Sequence, residues 1–276
     1  QYMVTDYPGT IGLRFNFING GTSGLMSNVK IRKAISYSID REEMIDAVYG
    51  RYNPAYSYVA PAITFNGSSY RSQVGEVIED EYNEYVGDPD KIVALFQEGL
   101  DELGVETPIE DITLTYLTSG STTEVQAERE YIQQSLEETL GLTVELSVAG
   151  DNSLFIADRN EGNYDFFLGG WYSDYNDPLD FLYTNYTDAY GMSFGGYSNT
   201  DYDALADQLV GETDMDKRLD IYKQMEQILL LDDCAFAPIY YATKQVLLQN
   251  WVKDYRTSSF GASAEFIWTY IDGKNQ

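Results

Sequence analysis

Residues 112–148 leave this chain few choices of fold. Ile112, Leu114 and Tyr116 alternate with threonines, the two-residue period of a strand with one buried face. Residues 123–139 then carry Val125, Tyr131, Ile132 and Leu136 at helical spacing, and Gly141 closes that helix. Leu142–Val148 returns as a second strand. Strand, helix and strand in this order favour parallel pairing through a right-handed crossover. The chain therefore needs a sheet with helices laid on it.

The remaining pattern agrees. Residues 11–18 read as a strand, followed by a Gly-rich loop at 19–24. Val29, Ile31, Ala34, Ile35 and Ile39 form a helical stripe, and Asp40 with Glu43 makes a capping-box start for the next helix, ended by Gly50. Residues 51–86 read as a long ordered loop with short strands. Asp88-Pro89 opens a helix that Gly104 terminates. After a variable stretch, Tyr164–Leu168 reads as a buried strand running straight into Gly169-Gly170-Trp171-Tyr172-Ser173-Asp174. Helices are expected at 201–210 and 214–232. Strands are expected at Ile239–Tyr241, Val246–Leu248 and Glu265–Ile271. There is no internal repeat, and the mixture makes this an α/β (α+β mixed) chain.

Composition narrows the chemistry. With no histidine and one cysteine, Ser-His-Asp and Cys-His catalysis, His/Cys zinc sites and an internal disulfide are all excluded. Cys234 reads as a small core residue. The formal charge is −28, from 45 acidic and 17 basic residues, so nucleic acid is an unsuitable partner. The first 60 residues carry +1 and the remainder −29, which reads as an acidic, solvated surface. No apolar run approaches the roughly 18 residues of a membrane-spanning helix. The N-terminus has no basic or apolar leader pattern, so an export signal is expected to be absent or removed. The 25 tyrosines would suit a site that accepts varied ligands, and they would equally fill strands.

The Gly-Gly-Trp-Tyr-Ser-Asp segment carries the leading candidate site. Glycines at a strand end admit another backbone, an adjacent Trp gives an apolar wall, and an Asp can answer a cation. The same residues also describe a tight turn with a core Trp and a capping Asp. Asp174 with Asp177 or Asp180 could form an acid–base pair for hydrolysis, and Asp174–Asp177 superficially offers calcium ligands, without an EF-hand pattern. Gly20–Gly24 lacks the ending of a phosphate-binding loop. Arg159, in an acidic half with few cations, could hold a ligand carboxylate or balance Asp158 and Glu161.

Four segments, in order, resemble the oligopeptide- and dipeptide-binding proteins of bacterial peptide ABC transporters. Val29–Ile45 is similar to the pattern VRxAxxxAIDRxxI. Gly87–Lys91 resembles the start of DPxKAxxLLxEAG. Tyr164-Asp165 with Gly170–Asp174 resembles YDxxxxGWxADYxDP. Lys217–Leu219 through Asp232-Asp233 and Pro238–Tyr241 resembles KRxxxYxxxxxxLxDxxPxIPLY.

The resemblance implies a periplasmic-binding-protein-like, type II C-terminal lobe with hinge-crossing strands at both ends. Residues 1–27 would be a hinge segment, 28–245 the lobe and 246–276 the return toward a missing N-terminal lobe. It implies a binding module rather than an enzyme, with no cofactor. The ligand would be an oligopeptide, and the partners permease subunits and the other lobe. The receptor would be extracellular and lipid-anchored, or periplasmic. Asp174 would pair with the peptide α-amino group beside Trp171, Gly170 and Tyr172 would pair with its main chain, and Arg159 would hold a short peptide's carboxylate. A second family arginine is replaced by Leu168, so peptide length stays open. A receptor for dipeptides, a nickel chelate, haem or a sugar, and a carboxylate-dependent hydrolase, are the alternatives. The chain alone is expected to fold and to bind peptide weakly.

Overall fold

The computed structural model of the chain describes residues 2–187, 189, 195–260 and 264–274. Strand β1 runs Tyr2–Phe15 and is followed by helices α1 (Val29–Tyr37) and α2 (Arg41–Met44). Asn28 caps α1 and Asp40 caps α2 through their side chains. Short strands β2 (Asn53–Pro54), β3 (Thr64–Phe65) and β4 (Ser68–Ser69) precede helices α3 (Tyr70–Val74), α4 (Glu79–Tyr85) and α5 (Pro89–Leu103). The expected loop over 51–86 thus contains two helices. Only Tyr82 of α4 is buried, so no apolar stripe marks it.

Strand β5 (Thr113–Ser119), helix α6 (Thr123–Leu140) and strand β6 (Thr143–Ala149) form the expected parallel unit, in register from Thr113 opposite Thr143 to Ser119 opposite Ala149. Helix α7 (Asn152–Glu161) returns the chain to strand β7 (Phe166–Tyr172). Helices α8 (Pro178–Leu182), α9 (Thr200–Gln208) and α10 (Met215–Gln227) lead to the long strand β8 (Phe236–Leu247). The two strands expected at 239–241 and 246–248 are one. Of Glu265–Ile271, only Tyr270–Ile271 forms a strand, β10, paired with β9 (Val252–Lys253).

The main sheet has the order β2-β8-β1-β7-β5-β6. β1 lies antiparallel to both β8 and β7, and β7 lies parallel to β5. Side-chain alternation divides the core between two faces. Leu13, Phe15, Leu114, Tyr116 and Phe166 pack with Ile132 and Leu136 of α6 on one face. Phe167 and Leu117 pack with Phe155 of α7 on the other, and Phe236 and Tyr241 join Tyr58, Phe181 and Tyr222 in a second cluster. The parallel crossovers through α6 and α7 therefore cover opposite faces.

The resemblance motifs resolve into backbone fastenings. Arg32 donates to the carbonyls of Met26, Asp233 and Cys234, and buried Arg41 donates to those of Ala55, Pro238 and Ser36. A planar guanidinium can hold several carbonyls from separate segments at once. Asp165 accepts from the N–H and hydroxyl of Ser23 and from the Thr115 N–H. The Gly20–Gly24 loop thus already closes on an anion of its own chain.

β1 and β8 pair almost end to end, Tyr2 opposite Leu247 and Arg14 opposite Phe236. The register slips between Asp6 and Thr10, where Tyr7, Pro8 and Gly9 face Ala242 alone. This bulge separates the buried part of β1, central in the sheet, from an outer two-stranded ribbon of Tyr2–Asp6 with Thr243–Leu247.

Candidate functional site

The site is built at the free end of β7. Phe166 and Phe167 pair with Tyr116 and Leu117 of β5, and β5 pairs with β7 nowhere else among the described residues. From Leu168 to Tyr172 the strand pairs, among the described residues, with β1 alone, in register from Leu13 opposite Leu168 to Gly9 opposite Tyr172. The Ser173 N–H donates to the Pro8 carbonyl at 2.8 Å. Antiparallel alternation then turns the N–H and C=O of Tyr172 and Gly170 away from β1, toward the edge that β5 leaves uncovered. An uncovered strand edge is a template for another extended backbone.

Gly170 has a second reason to be glycine. A Cβ there would lie 1.9 Å from the Thr10 carbonyl oxygen. The backbone that approaches this glycine closely is β1 of the same chain.

Alternation also sends Trp171 and Tyr172 to opposite faces. Trp171 is half-buried against the second core cluster, and its Nε1–H donates to Oδ2 of Asp180 at 2.9 Å. The core-Trp reading thus describes the buried part of this side chain. Tyr172 stays exposed and lines a cleft of about 450 Å³ with Tyr7, Tyr52, Ala242, Thr243 and Lys244. The Tyr7 and Tyr172 rings lie 5.7 Å apart, and Tyr52 stacks on Tyr240 at 4.5 Å. Tyrosine gives this wall stiff apolar area with polar tips.

The turn after β7 is tied at almost every residue. The Asp174 N–H donates to Asp180 Oδ2 at 2.9 Å. Asn176 exchanges bonds with Thr64, accepting from its N–H at 2.8 Å and donating to its Oγ1 at 2.5 Å. Asp177 caps α8 through the Leu179 N–H, accepts from the Tyr222 hydroxyl at 2.8 Å and lies 3.8 Å from Arg218. Against this, the Asp174 side chain is exposed, and among the described residues no hydrogen bond or ion pair engages its carboxylate.

This disposition answers the competing readings of the carboxylates. Asp177 and Asp180 are occupied in fastening the turn. Asn176 is engaged with Thr64, and among the described residues no group of three His, Cys, Asp or Glu side chains gathers as a metal site. Cys234 is buried, and burial pushes its thiol up to about 11, which suits a core residue.

Gly170, Trp171, Tyr172 and Asp174 are thus brought together at one strand end. Arg159 is not. It lies in the last turn of α7, half-buried, with its charge acting on the Tyr164 hydroxyl before β7 begins. The seven residues of β7, about 20 Å of extended chain, separate that end from Asp174. Sequence reasoning also missed Thr64 as the partner of Asn176, and Tyr7, Tyr52 and Lys244 as walls of the cleft. Each arrives from a distant segment, and no local pattern announces it.

Residues 2–193 match the family model described as "Bacterial extracellular solute-binding proteins, family 5 Middle". The chain belongs to this family. Its members are binding proteins and not enzymes, which removes the hydrolase reading. Among similar proteins, the oligopeptide-binding protein OppA of Bacillus subtilis is 31% identical over 83% of the chain, and the dipeptide-binding protein DppE of the same organism is 30% identical over 90%. The chain spans 39% and 42% of those two proteins. The structure of Listeria monocytogenes OppA bound to peptide superposes with a TM-score of 0.77 at 30% identity, over 99% of this chain and 50% of that one. The family-5 fold is therefore the fold of this chain. Among the described residues no helix is long and apolar enough to cross a membrane.

Proposed function

We propose that the chain is the peptide-contacting C-terminal lobe of an oligopeptide receptor serving an ABC transporter. The peptide adds as a strand along the uncovered edge of β7, pairing with the main chain of Gly170 and Tyr172, and its α-ammonium meets the Asp174 carboxylate beside Trp171. The observation that carries this reading is Asp174 itself. In a turn where neighbouring polar groups are committed to the fold, its carboxylate is left to solvent at the open strand end. Main-chain pairing and a terminal charge recognise a peptide without regard to its side chains. Arg159 would serve a peptide carboxylate reaching toward the start of β7.

The relatives named for peptides support the cargo. The bulge at Tyr7–Gly9 supports a hinge through residues 1–27, with residues 28–245 as the lobe and 246–276 returning toward an N-terminal lobe. Closure of that lobe would exclude water and strengthen the Asp–ammonium pair. The family description supports a receptor outside the cytoplasmic membrane; in this reading it is extracellular and lipid-anchored, or periplasmic, and delivers to permease subunits.

The test compares tri-alanine with N-acetyl-tri-alanine by calorimetry on the complete two-lobed protein. Asp174→Ala is expected to weaken tri-alanine about 30-fold or more and to leave the acetylated peptide within about threefold. Equal loss for both ligands would remove the ammonium clamp from the reading.

A further inference from the structure

Asp180 touches both halves of the candidate site from beneath. Its side chain is 1% exposed, in the first turn of α8. One oxygen, Oδ2, accepts the Trp171 Nε1–H and the Asp174 main-chain N–H, each at 2.9 Å. Both donors are neutral, and among the described residues no cation pairs with Asp180. A buried carboxylate whose side-chain partners among the described residues are two N–H groups is an expensive choice for a turn that a serine or threonine could also fasten.

The helix that carries it is itself fixed. Pro178 pre-sets the first turn, and Asp177 caps it while engaging Tyr222 and Arg218 of α10. The Tyr202 hydroxyl donates to the Leu182 carbonyl at its far end. Oδ2 is thereby a fixed point, and two charge-assisted bonds converge on it.

We infer that Asp180 is the positioning residue of the ammonium site: through one oxygen it fixes the Trp171 indole and the Asp174 main chain relative to each other, and it sets a second negative charge under the cation. This inference rests on the reading of Asp174 proposed above. An exposed Asp on an untethered turn would lose rotamer and backbone freedom whenever it met a ligand, and the tether removes part of that cost beforehand. The second charge lies where lobe closure would raise its effect, because screening by water falls.

The inference separates two substitutions. Asp180→Asn keeps a carbonyl oxygen for both N–H donors and loses the charge. Asp180→Leu loses the acceptor and the charge together, leaving two donors unpaired. In the complete protein, the quantity read is the preference for tri-alanine over N-acetyl-tri-alanine, which a merely structural residue would not move in a folded variant. The expected preference falls about threefold in Asp180→Asn and about tenfold or more in Asp180→Leu. With Asp174→Ala already present, neither change lowers it further.

An unchanged preference in either variant that folds overturns the inference, and Asp180→Asn, which preserves shape, remains the deciding variant if Asp180→Leu does not fold. The two readings fail differently. If Asp174→Ala leaves the preference intact, the clamp itself is wrong. If Asp174→Ala abolishes it while the folded Asp180 variants keep it, only the role of Asp180 is wrong.

Discussion

The α-carbon of Gly170 faces the Thr10 carbonyl so closely that a Cβ would stand 1.9 Å from its oxygen. A methyl group there must push β7 off β1 at the strand end that carries the site. Gly170→Ala is expected to cost about 1–3 kcal/mol, the range for overpacking against an unyielding partner. Gly150→Ala meets only the tip of Leu154 at 3.4 Å and should stay within about 0.5 kcal/mol. Urea denaturation of both variants checks the contrast, and equal midpoints would show that the β1–β7 approach can relax freely.

Buried Glu226 binds a different part of the support. It pairs with Arg71, accepts from the Tyr70 hydroxyl at 3.0 Å and takes the N–H groups of Tyr58 and Val59 at 3.2 and 3.0 Å. These contacts fix the segment that presents Thr64 to Asn176. Glu226→Ala leaves the Arg71 charge buried without its partner, and the expected loss is about 3–5 kcal/mol. Chemical denaturation measures this directly. A loss below about 1 kcal/mol would mean that Arg71 finds another acceptor.

Glu128 of α6 supplies a pH dependence. Burial pushes its carboxyl up from 4.5 to about 7. The folded state therefore holds this proton more tightly than the unfolded chain does. Below about pH 4.5 Glu128 is protonated in both states and costs nothing. The penalty grows as the pH rises from there through 7, and it stays constant above. Glu128→Gln is accordingly expected to raise stability by about 1–3 kcal/mol at pH 8 and to leave it unchanged at pH 4. Thermal unfolding across that range would reveal the slope, and parallel curves for parent and variant would contradict it.

How much was legible in the sequence follows from the range of each interaction. The β5–α6–β6 unit was readable because strand alternation, helix stripe and closing glycine all lie within 37 consecutive residues. Asp40 and Asp88 announced helix starts for the same reason, since a cap acts on the next three residues. Helix α7 draws no apolar stripe in the sequence, because Leu154 and Ile156 are exposed. Strand β8 reads as two segments in the sequence because its second half leaves the core and loses the pattern of a buried strand.

The sequence by itself determined the class of fold, the exclusion of histidine and thiol chemistry, and the grouping of Gly170, Trp171, Tyr172 and Asp174, because residues adjacent in a strand and its turn stay adjacent in space. Tertiary structure decided which of three neighbouring carboxylates remains available. Asp177 is taken by Tyr222, Asp180 by Trp171 and the Asp174 main chain, and Asp174 is left facing solvent. It also decided that β7 has an edge left unpaired among the described residues, because β5 parts from it after Leu117. Both outcomes depend on hydrogen bonds between elements, whose geometry does not exist until the sheet and α10 have packed.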